Sequence, residues 1–501
     1  MSIFWWIILA GFLARLAIAS ILPPGYDEAY YLFYGRNLDF SFFDHPLAVG
    51  IWSWIGQRLG DGVLPLRLPS VISYTISLIL LGDATKRWYG NSAKTWVAIL
   101  GSASPLIFAC GGILLLPDSP LLLSLSLLLF WLSRTPEATP KNAKEGITLG
   151  AILAFLTLSK YHSFIILASL LVISLSSSEG RRAWKRFWPY LSVAVWVALT
   201  FPLWIWNHSN HWASFLFQTG RIASDQVFRP DASFMFLLSQ IGMLFPTIGL
   251  LLVTVIFTTQ SRSLKNKRAS IQLKILAIPQ LILFLILAGR MHVMSSWLVP
   301  AWWISLPIAG AWIAARGWSS RTVRIGVIST ACVLPPLLAI ASLQMRWGIL
   351  SRWIPAAQDP STQLINPNEL RKALASDQDL LKAVLGADII ASHRYEIPGF
   401  FALALPKRAN QTFTVLGDDP RGFAFWPGFR TDRSSRGILV APVEPETKLV
   451  DRKFPEMIHN LKSLGTLTIQ RSGLPAVELD IASFEAAPGN YPWPYGSTVQ
   501  K

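Results

Sequence analysis

The stretch IFWWIILAGFLARLAIASIL (residues 3–22) runs directly into PPGYDEAYYLFYGRNLDFSFFDHPL (residues 23–47). The first stretch has the length and apolarity that a bilayer-crossing helix needs, on the order of 20 residues. The second sets Asp27, Glu28 and Asp44 just beyond it, in a chain otherwise poor in acid. Carboxylates close to lipid are costly unless they are paired or at work. Three of them beside the first span therefore read as a working polar loop, the catalytic floor of a membrane enzyme. A cleavable leader would have a basic segment in front and small residues behind. Here Pro23-Pro24 follow the apolar run, so it is expected to stay as a first helix.

Outward from this stretch the composition agrees. Of 501 residues 52% are hydrophobic and 14% charged, and the mean hydropathy of +0.43 lies well above that of a soluble globular chain. Apolar runs near span length recur to about residue 343, and the last third reads as ordinary soluble sequence. The expected architecture is a polytopic α-helical membrane domain over 1–343 and a soluble α/β domain over 344–501. About eleven transmembrane helices are expected, near 3–22, 63–84, 93–112, 120–134, 146–160, 163–178, 189–206, 234–258, 272–289, 297–315 and 325–343. The run 47–59 is too short to cross and is read as an interfacial helix.

A formal charge of +16 raises nucleic acid as a partner, and the placement of the charge argues against it. Lys86, Arg87 and Lys94, Arg134, Lys141 and Lys144, the Arg181–Arg186 cluster, Arg262–Arg268, and Arg316, Arg321 and Arg324 fall in alternate loops. The intervening loops hold far fewer cations. This asymmetry is the positive-inside pattern, which puts the N-terminus in the cytoplasm. The outer-face loops 23–62 and 207–233 and the soluble domain then share the other side. Cys110 and Cys332 lie in apolar runs, so no disulfide framework or cysteine metal site is expected.

In the soluble region Asn366-Pro367-Asn368-Glu369 has the form of a cap, a first-turn proline and a first-turn acid, opening a helix to about Leu385. Strand-like runs follow at 387–391, 438–443, 465–471 and 476–481.

Several residue groups could carry chemistry. Asp27 and Glu28 are adjacent and diverge by about 100° on a helix, so one is expected to work and the other to cap or orient. Asp27 as a plain cap of a helix over 29–38 is an alternative. Asp44-His45-Pro46 is either an acid/base or metal pair or a capped turn. Asp118, in Pro117-Asp118-Ser119-Pro120, either serves the site or only starts a helix. Lys160, before Tyr161 and His162, is either a snorkelling cation or a partner for a lipid phosphate. His208 and His211 lie in WNHSNHWASFLFQ (206–218) ahead of Arg221. Either is a possible metal ligand or an ordinary interfacial histidine. Arg290 and His292 occupy a short outer turn, and Arg15 stands inside the first span.

YDEAYY, FDHPL, RLPS (67–70), LPDSPLLL, LSKYHS and WNHSNHWASFLFQ, with SHRYEIPGFFALAL, NQTF and FWPG in the soluble part, together resemble the GT-C membrane glycosyltransferases. The likeness is to bacterial relatives of dolichyl-phosphate-mannose protein mannosyltransferase and of lipid A aminoarabinose transferase. It implies inverting transfer of a sugar from a polyprenyl-phosphate donor to a lipid, glycan or protein acceptor at the outer face of the bacterial cytoplasmic membrane. It implies Asp27 as the catalytic carboxylate, with Asp44 as the second acid and Asp118 the proline-flanked one. Lys160 would contact phosphate. Glu28, His45, Tyr161, Arg221 and His292 are expected around the substrates. Some relatives bind a divalent metal, which would fall on Asp44 and His211. Leu47 departs from the pattern, where a second proline usually follows His-Pro.

The residue types fit that chemistry on their own. Phosphate leaves readily from an anomeric carbon once cations neutralise it, so one base suffices where glycoside hydrolysis needs two carboxylates. A transporter or flippase of lipid-linked sugars is the rival, and it should place ionisable groups at mid-membrane in two related halves.

Overall fold

The computed structural model describes residues 2–222, 227–258, 265–405, 411–417, 419–426, 430–431, 435–443, 458–486 and 489–490. The chain divides into two compact units. The first comprises 1–19, 45–52 and 67–337, and the second 20–44, 53–66 and 338–501. The division thus falls at 337/338 rather than at 343/344. The acidic loop up to Asp44 belongs with the C-terminal unit.

The first unit is helical and membrane-spanning. Among the described residues six helices are long and apolar enough to cross a bilayer: Ile3–Ile21, Val63–Tyr89, Trp188–Ser209, Lys267–Ala288, Ser295–Arg316 and Arg321–Trp347. Asn91–Ala103 and Pro105–Gly112 would make a seventh, bent by 79°. The bend falls at Ser104-Pro105, where proline removes a backbone donor and pushes the preceding residue out of the helical region. The run expected at 234–258 is broken in the same way. Pro230–Met243 and Pro246–Phe257 meet at Phe245, whose φ is +75°. Asp118–Leu132, Ala143–Ser159 and Ser163–Ser176 are shorter. Helix Ala48–Leu59 lies where the interfacial segment was expected.

Several buried polar groups in this unit bond to nearby elements. Arg67 donates to the carbonyl of Ala19 at 2.8 Å, and Tyr74 to that of Gly101 at 2.7 Å. Arg15, buried in the first span, donates to Thr75 at 3.1 Å and lies 4.8 Å from the ring of Tyr74.

The second unit is built on a five-stranded mixed sheet in the order 412–415, 389–392, 435–442, 474–486 and 458–471. Strand Ile389–Ser392 is parallel to both neighbours, with Ile390 opposite Phe413 on one side and Ile438 on the other. The long hairpin Ile458–Arg471 and Leu474–Ala486 is antiparallel. The single helix expected from Pro367 is two, Pro367–Ser376 and Gln378–Gly386. Asp377 ends the first by accepting the N–H of Leu380 at 2.9 Å, which restarts the chain as a new helix. One face of the sheet buries Leu370, Leu374, Val384, Phe400 and Phe401 in a single apolar core.

Helix Tyr26–Arg36 docks on this core through Ala29. Helix Ile397–Ala404 crosses it so closely that a Cβ on Gly399 would stand 2.0 Å from the carbonyl oxygen of Ala29. Only glycine allows that approach. The acidic loop is thereby fastened to the sheet of the second unit.

Candidate active site

In the second unit the polar cluster starts from the cap of helix Tyr26–Arg36. Gly25 occupies the cap position, and its N–H donates to the Glu28 carboxylate at 2.9 Å. Glu28 is buried, so it does the capping that was one of the readings of Asp27. Asp27 stays half-buried and accepts a hydrogen bond from the Tyr395 hydroxyl at 3.2 Å.

Asp44 is only 2% exposed and is surrounded by donors. Tyr30 donates to it at 3.1 Å and Arg421 at 3.3 Å, and the Tyr34 hydroxyl also bonds to it. Burial first, then the nearby carboxylate of Asp44, holds the Tyr30 hydroxyl well above its ordinary pKa. Tyr395 is raised by burial and by Asp27. Both therefore keep their protons at neutral pH and act as donors. Burial pulls the Arg421 guanidinium down, but Asp44, then Tyr395 and Asp419, push it above its usual value, so it stays charged.

Arg421 reaches Asp44 because of an unusual backbone. Its φ is +48°, in the left-handed region that side chains other than those of Gly, Asn and Asp seldom adopt. Its guanidinium lies 3.8 Å from the centroid of the Tyr395 ring. The next N–H, of Gly422, donates to the Tyr30 hydroxyl at 2.8 Å, and a Cβ there would lie 2.7 Å from that oxygen. Phe33, Phe423 and Trp426 pack edge-on around the turn, which holds the strained residue in place.

The first unit carries a second polar centre. Lys160 donates to both oxygens of Asp118 at 2.9 Å, and both residues are buried, at 3% and 1% exposure. Asp118 is the first residue of helix Asp118–Leu132, and Lys160 follows the last residue of helix Ala143–Ser159. Each charge thus sits at the helix end whose dipole favours it, typically by about 0.3–1 kcal/mol. The Ser119 hydroxyl is 2.8 Å from that of Ser73, to which Trp52 also donates. The neighbours of Lys160 are packed into aromatic surroundings. Tyr161 lies 5.2 Å from Phe215, and His162 lies between Phe284 and Trp297.

Residues 44–206 match the sequence profile described as dolichyl-phosphate-mannose-protein mannosyltransferase, a range that includes Asp44, Asp118 and Lys160. The fold is similar to that of ArnT from Cupriavidus metallidurans in the apo state, at a TM-score of 0.62 and 14% identity over 95% of this chain and 97% of that one. The same protein bound to undecaprenyl phosphate gives 0.59 and 14% over 99% and 98%. These matches agree with the resemblance carried by the sequence motifs, and the fold is ArnT-like. No curated protein sequence matches it.

The remaining expected site residues fall as follows. His45 is half-buried in the first unit, and His211 and His292 are exposed there. His211 and Trp212 both have positive φ, 54° and 59°. The side chain of Arg221 lies outside the described residues, as do Asn410 of NQTF and Pro427-Gly428 of FWPG. Among the described residues no three His, Cys, Asp or Glu side chains gather to hold a metal ion. The donors on Asp44 are hydroxyls and a guanidinium, the surroundings of a cation-paired carboxylate, and no metal-dependent step is assigned.

Sequence reasoning missed Arg421, and of its neighbours it quoted Tyr30 and Tyr395 only inside motifs. The available signal was Arg421-Gly422 within an aromatic run, since a glycine there implies close backbone approach.

Proposed function

We propose that this chain is an inverting glycosyltransferase that moves a sugar from a polyprenyl-phosphate donor to an acceptor hydroxyl at the outer face of the bacterial cytoplasmic membrane. In this reading its helices make the eleven crossings expected from the sequence. The carrying observation is a difference among four acids. Glu28, Asp44 and Asp118 are buried and committed to a cap or a cation, whereas Asp27 is half-buried on the first turn of a helix that is rigidly docked. Its partial exposure supports Asp27 as the acid that meets a substrate. The similarity to ArnT across nearly the whole chain supports the donor class, since one of its structures holds undecaprenyl phosphate.

In the reaction, the acceptor oxygen attacks the anomeric carbon and its proton passes to Asp27. The bond from that carbon to the phosphate oxygen breaks, and the phosphate leaves with the electron pair. A cation neutralises the leaving phosphate, the role that the sequence resemblance implies for Lys160, whose ammonium is held by Asp118. Asp44, clamped by Tyr30, Tyr34 and Arg421, fixes the loop that carries Asp27. The acceptor's chemical class is lipid, glycan or protein.

Membranes containing the chain, supplied with a panel of polyprenyl-phosphate sugars, should release polyprenyl phosphate and label an acceptor, and Asp27→Asn should not. Unchanged transfer by the variant would remove Asp27 from the chemistry. Movement of donor across the membrane without transfer of sugar would favour the flippase reading. Chelator treatment separates the metal-dependent form of the reaction from the metal-free one.

A further inference from the structure

The last apolar helix, Arg321–Trp347, stands apart from the others in how little of it is covered. Only 11% of its apolar window is buried, against 83% for Ser295–Arg316, the helix before it. Between it and the helices Asn91–Ala103, Pro246–Phe257 and Val299–Arg316 of the same unit lies a cavity of about 740 Å³. Its wall is almost wholly apolar and includes Trp96, Leu251 and Trp312. Two hydroxyls in the wall, of Thr247 and Thr330, satisfy each other at 2.6 Å, which leaves an interior suited to hydrocarbon rather than water.

One end of this cavity is cationic. Arg321 lines it, and Arg324 follows one turn on. Arg316 lies 3.7 Å over the ring of Trp312. Among the described residues neither Arg321 nor Arg324 makes an ion pair. Arg321 is also the first residue of a 27-residue helix, whose N-terminal dipole favours an anion and disfavours an isolated cation. Tryptophans at the level of the charged mouth are the usual companions of lipid headgroups.

We propose that this cavity binds one anionic phospholipid, with its acyl chains between the last helix and the bundle and its phosphate at Arg321. The lipid comes from the leaflet facing the basic loops, on the cytoplasmic side by the positive-inside pattern. The occupant is distinct from the sugar donor on geometric grounds. His162, two residues from Lys160, packs against Trp297 at the N-terminal end of the helix that leads into Val299–Arg316, whereas the cavity mouth is at its C-terminal end. Eighteen helical residues separate the ends by about 27 Å.

The test uses the full chain in mild detergent, with native mass spectrometry and lipid extraction. One phosphatidylglycerol per chain should be retained in preference to phosphatidylethanolamine of the same acyl chains, and inorganic phosphate alone should not bind. Arg321→Gln, at an exposed position, should weaken retention about fivefold, the equivalent of about 1 kcal/mol per basic residue near a lipid surface. Gly326 lines the cavity, and a Cβ there meets nothing within 4 Å. Gly326→Phe should therefore expel the lipid while the chain still melts cooperatively. Equal retention of the two phospholipids, Arg321→Gln without effect, or a folded Gly326→Phe chain that keeps its lipid would overturn the proposal. So would polyprenyl phosphate as the molecule lost from Gly326→Phe. None of these readouts depends on sugar transfer, so the outcome is independent of the proposed activity.

Discussion

Asp118–Lys160 in the membrane unit and Asp44–Arg421 in the C-terminal unit are both buried pairs of a carboxylate and a cation, yet they are assembled differently. The first joins residues 42 apart that stand at the ends of two helices, each favoured there by the helix dipole. The second joins residues 377 apart and needs a left-handed arginine, two tyrosine hydroxyls and a ring of aromatics. One pair follows from where helices begin and end. The other exists only because a distant turn is held against the first loop. The membrane pair depends wholly on its two members. The other carboxylate has neutral donors to fall back on.

Asp27 lies outside both pairs, and its substitution marks the limit of the contrast. Asp27→Asn should lower sugar transfer by roughly 10²–10⁴-fold, the usual contribution of a positioned base, with an unchanged melting temperature. A loss of folding instead would make Asp27 a third structural acid. Next in size is Lys160→Met, which leaves Asp118 charged and buried and should cost about 3–5 kcal/mol by thermal or denaturant melting. Asp118→Leu combined with Lys160→Met should recover most of that stability and none of the transfer.

Arg421→Gln should cost less, about 1.5–3 kcal/mol, because Tyr30 and Tyr34 still donate to Asp44. A cost equal to that of Lys160→Met would erase the distinction between the pairs. Arg421→Lys should not rescue it, since an ammonium cannot stack flat on Tyr395. Smaller again is Tyr395→Phe, which removes one donor from Asp27 and should slow transfer about fivefold, on the order of 1 kcal/mol.

The smallest effect concerns pH. Asp359 accepts from Ser361, Gln344 and Arg471, and although burial raises its carboxyl, these bonds bring it below the ordinary carboxylate value. A lowered folded pKa gives stability that is present above the unfolded carboxylate pKa and is lost as pH falls through the folded one. Acid melting of the parent should show that loss. Asp359→Asn should be less stable near neutrality and should lack this part of the acid dependence.

Much of the membrane unit was legible in advance because its signals are local. Each expected span falls on a helix or a broken pair of helices, of which six, or seven with the bent pair, are long and apolar enough to cross among the described residues, and the breaks fall at Ser104-Pro105 and Phe245-Pro246, where proline interrupts the backbone pattern. The proline-flanked Asp118 and the Lys160 after an apolar run were visible as helix-end charges. That they bond to each other was not, since each was weighed alone. In the C-terminal unit four of the five strands of the sheet were visible as short apolar runs, whereas Thr412–Val415 was missed and the split at Asp377 was hidden in a continuous helical pattern.

From residue order alone came the membrane class, the acid-bearing first loop and the identity of Asp27 as a residue to watch. All of these rest on hydropathy, spacing and charge within a few turns of chain. Tertiary structure alone decided that Glu28 is the cap, that Asp44 is a clamped carboxylate and that Arg421 is its cation. Those outcomes depend on which surfaces pack together across hundreds of residues. A buried charge takes its partner from that packing, and nothing in its own sequence neighbourhood specifies which cation will arrive.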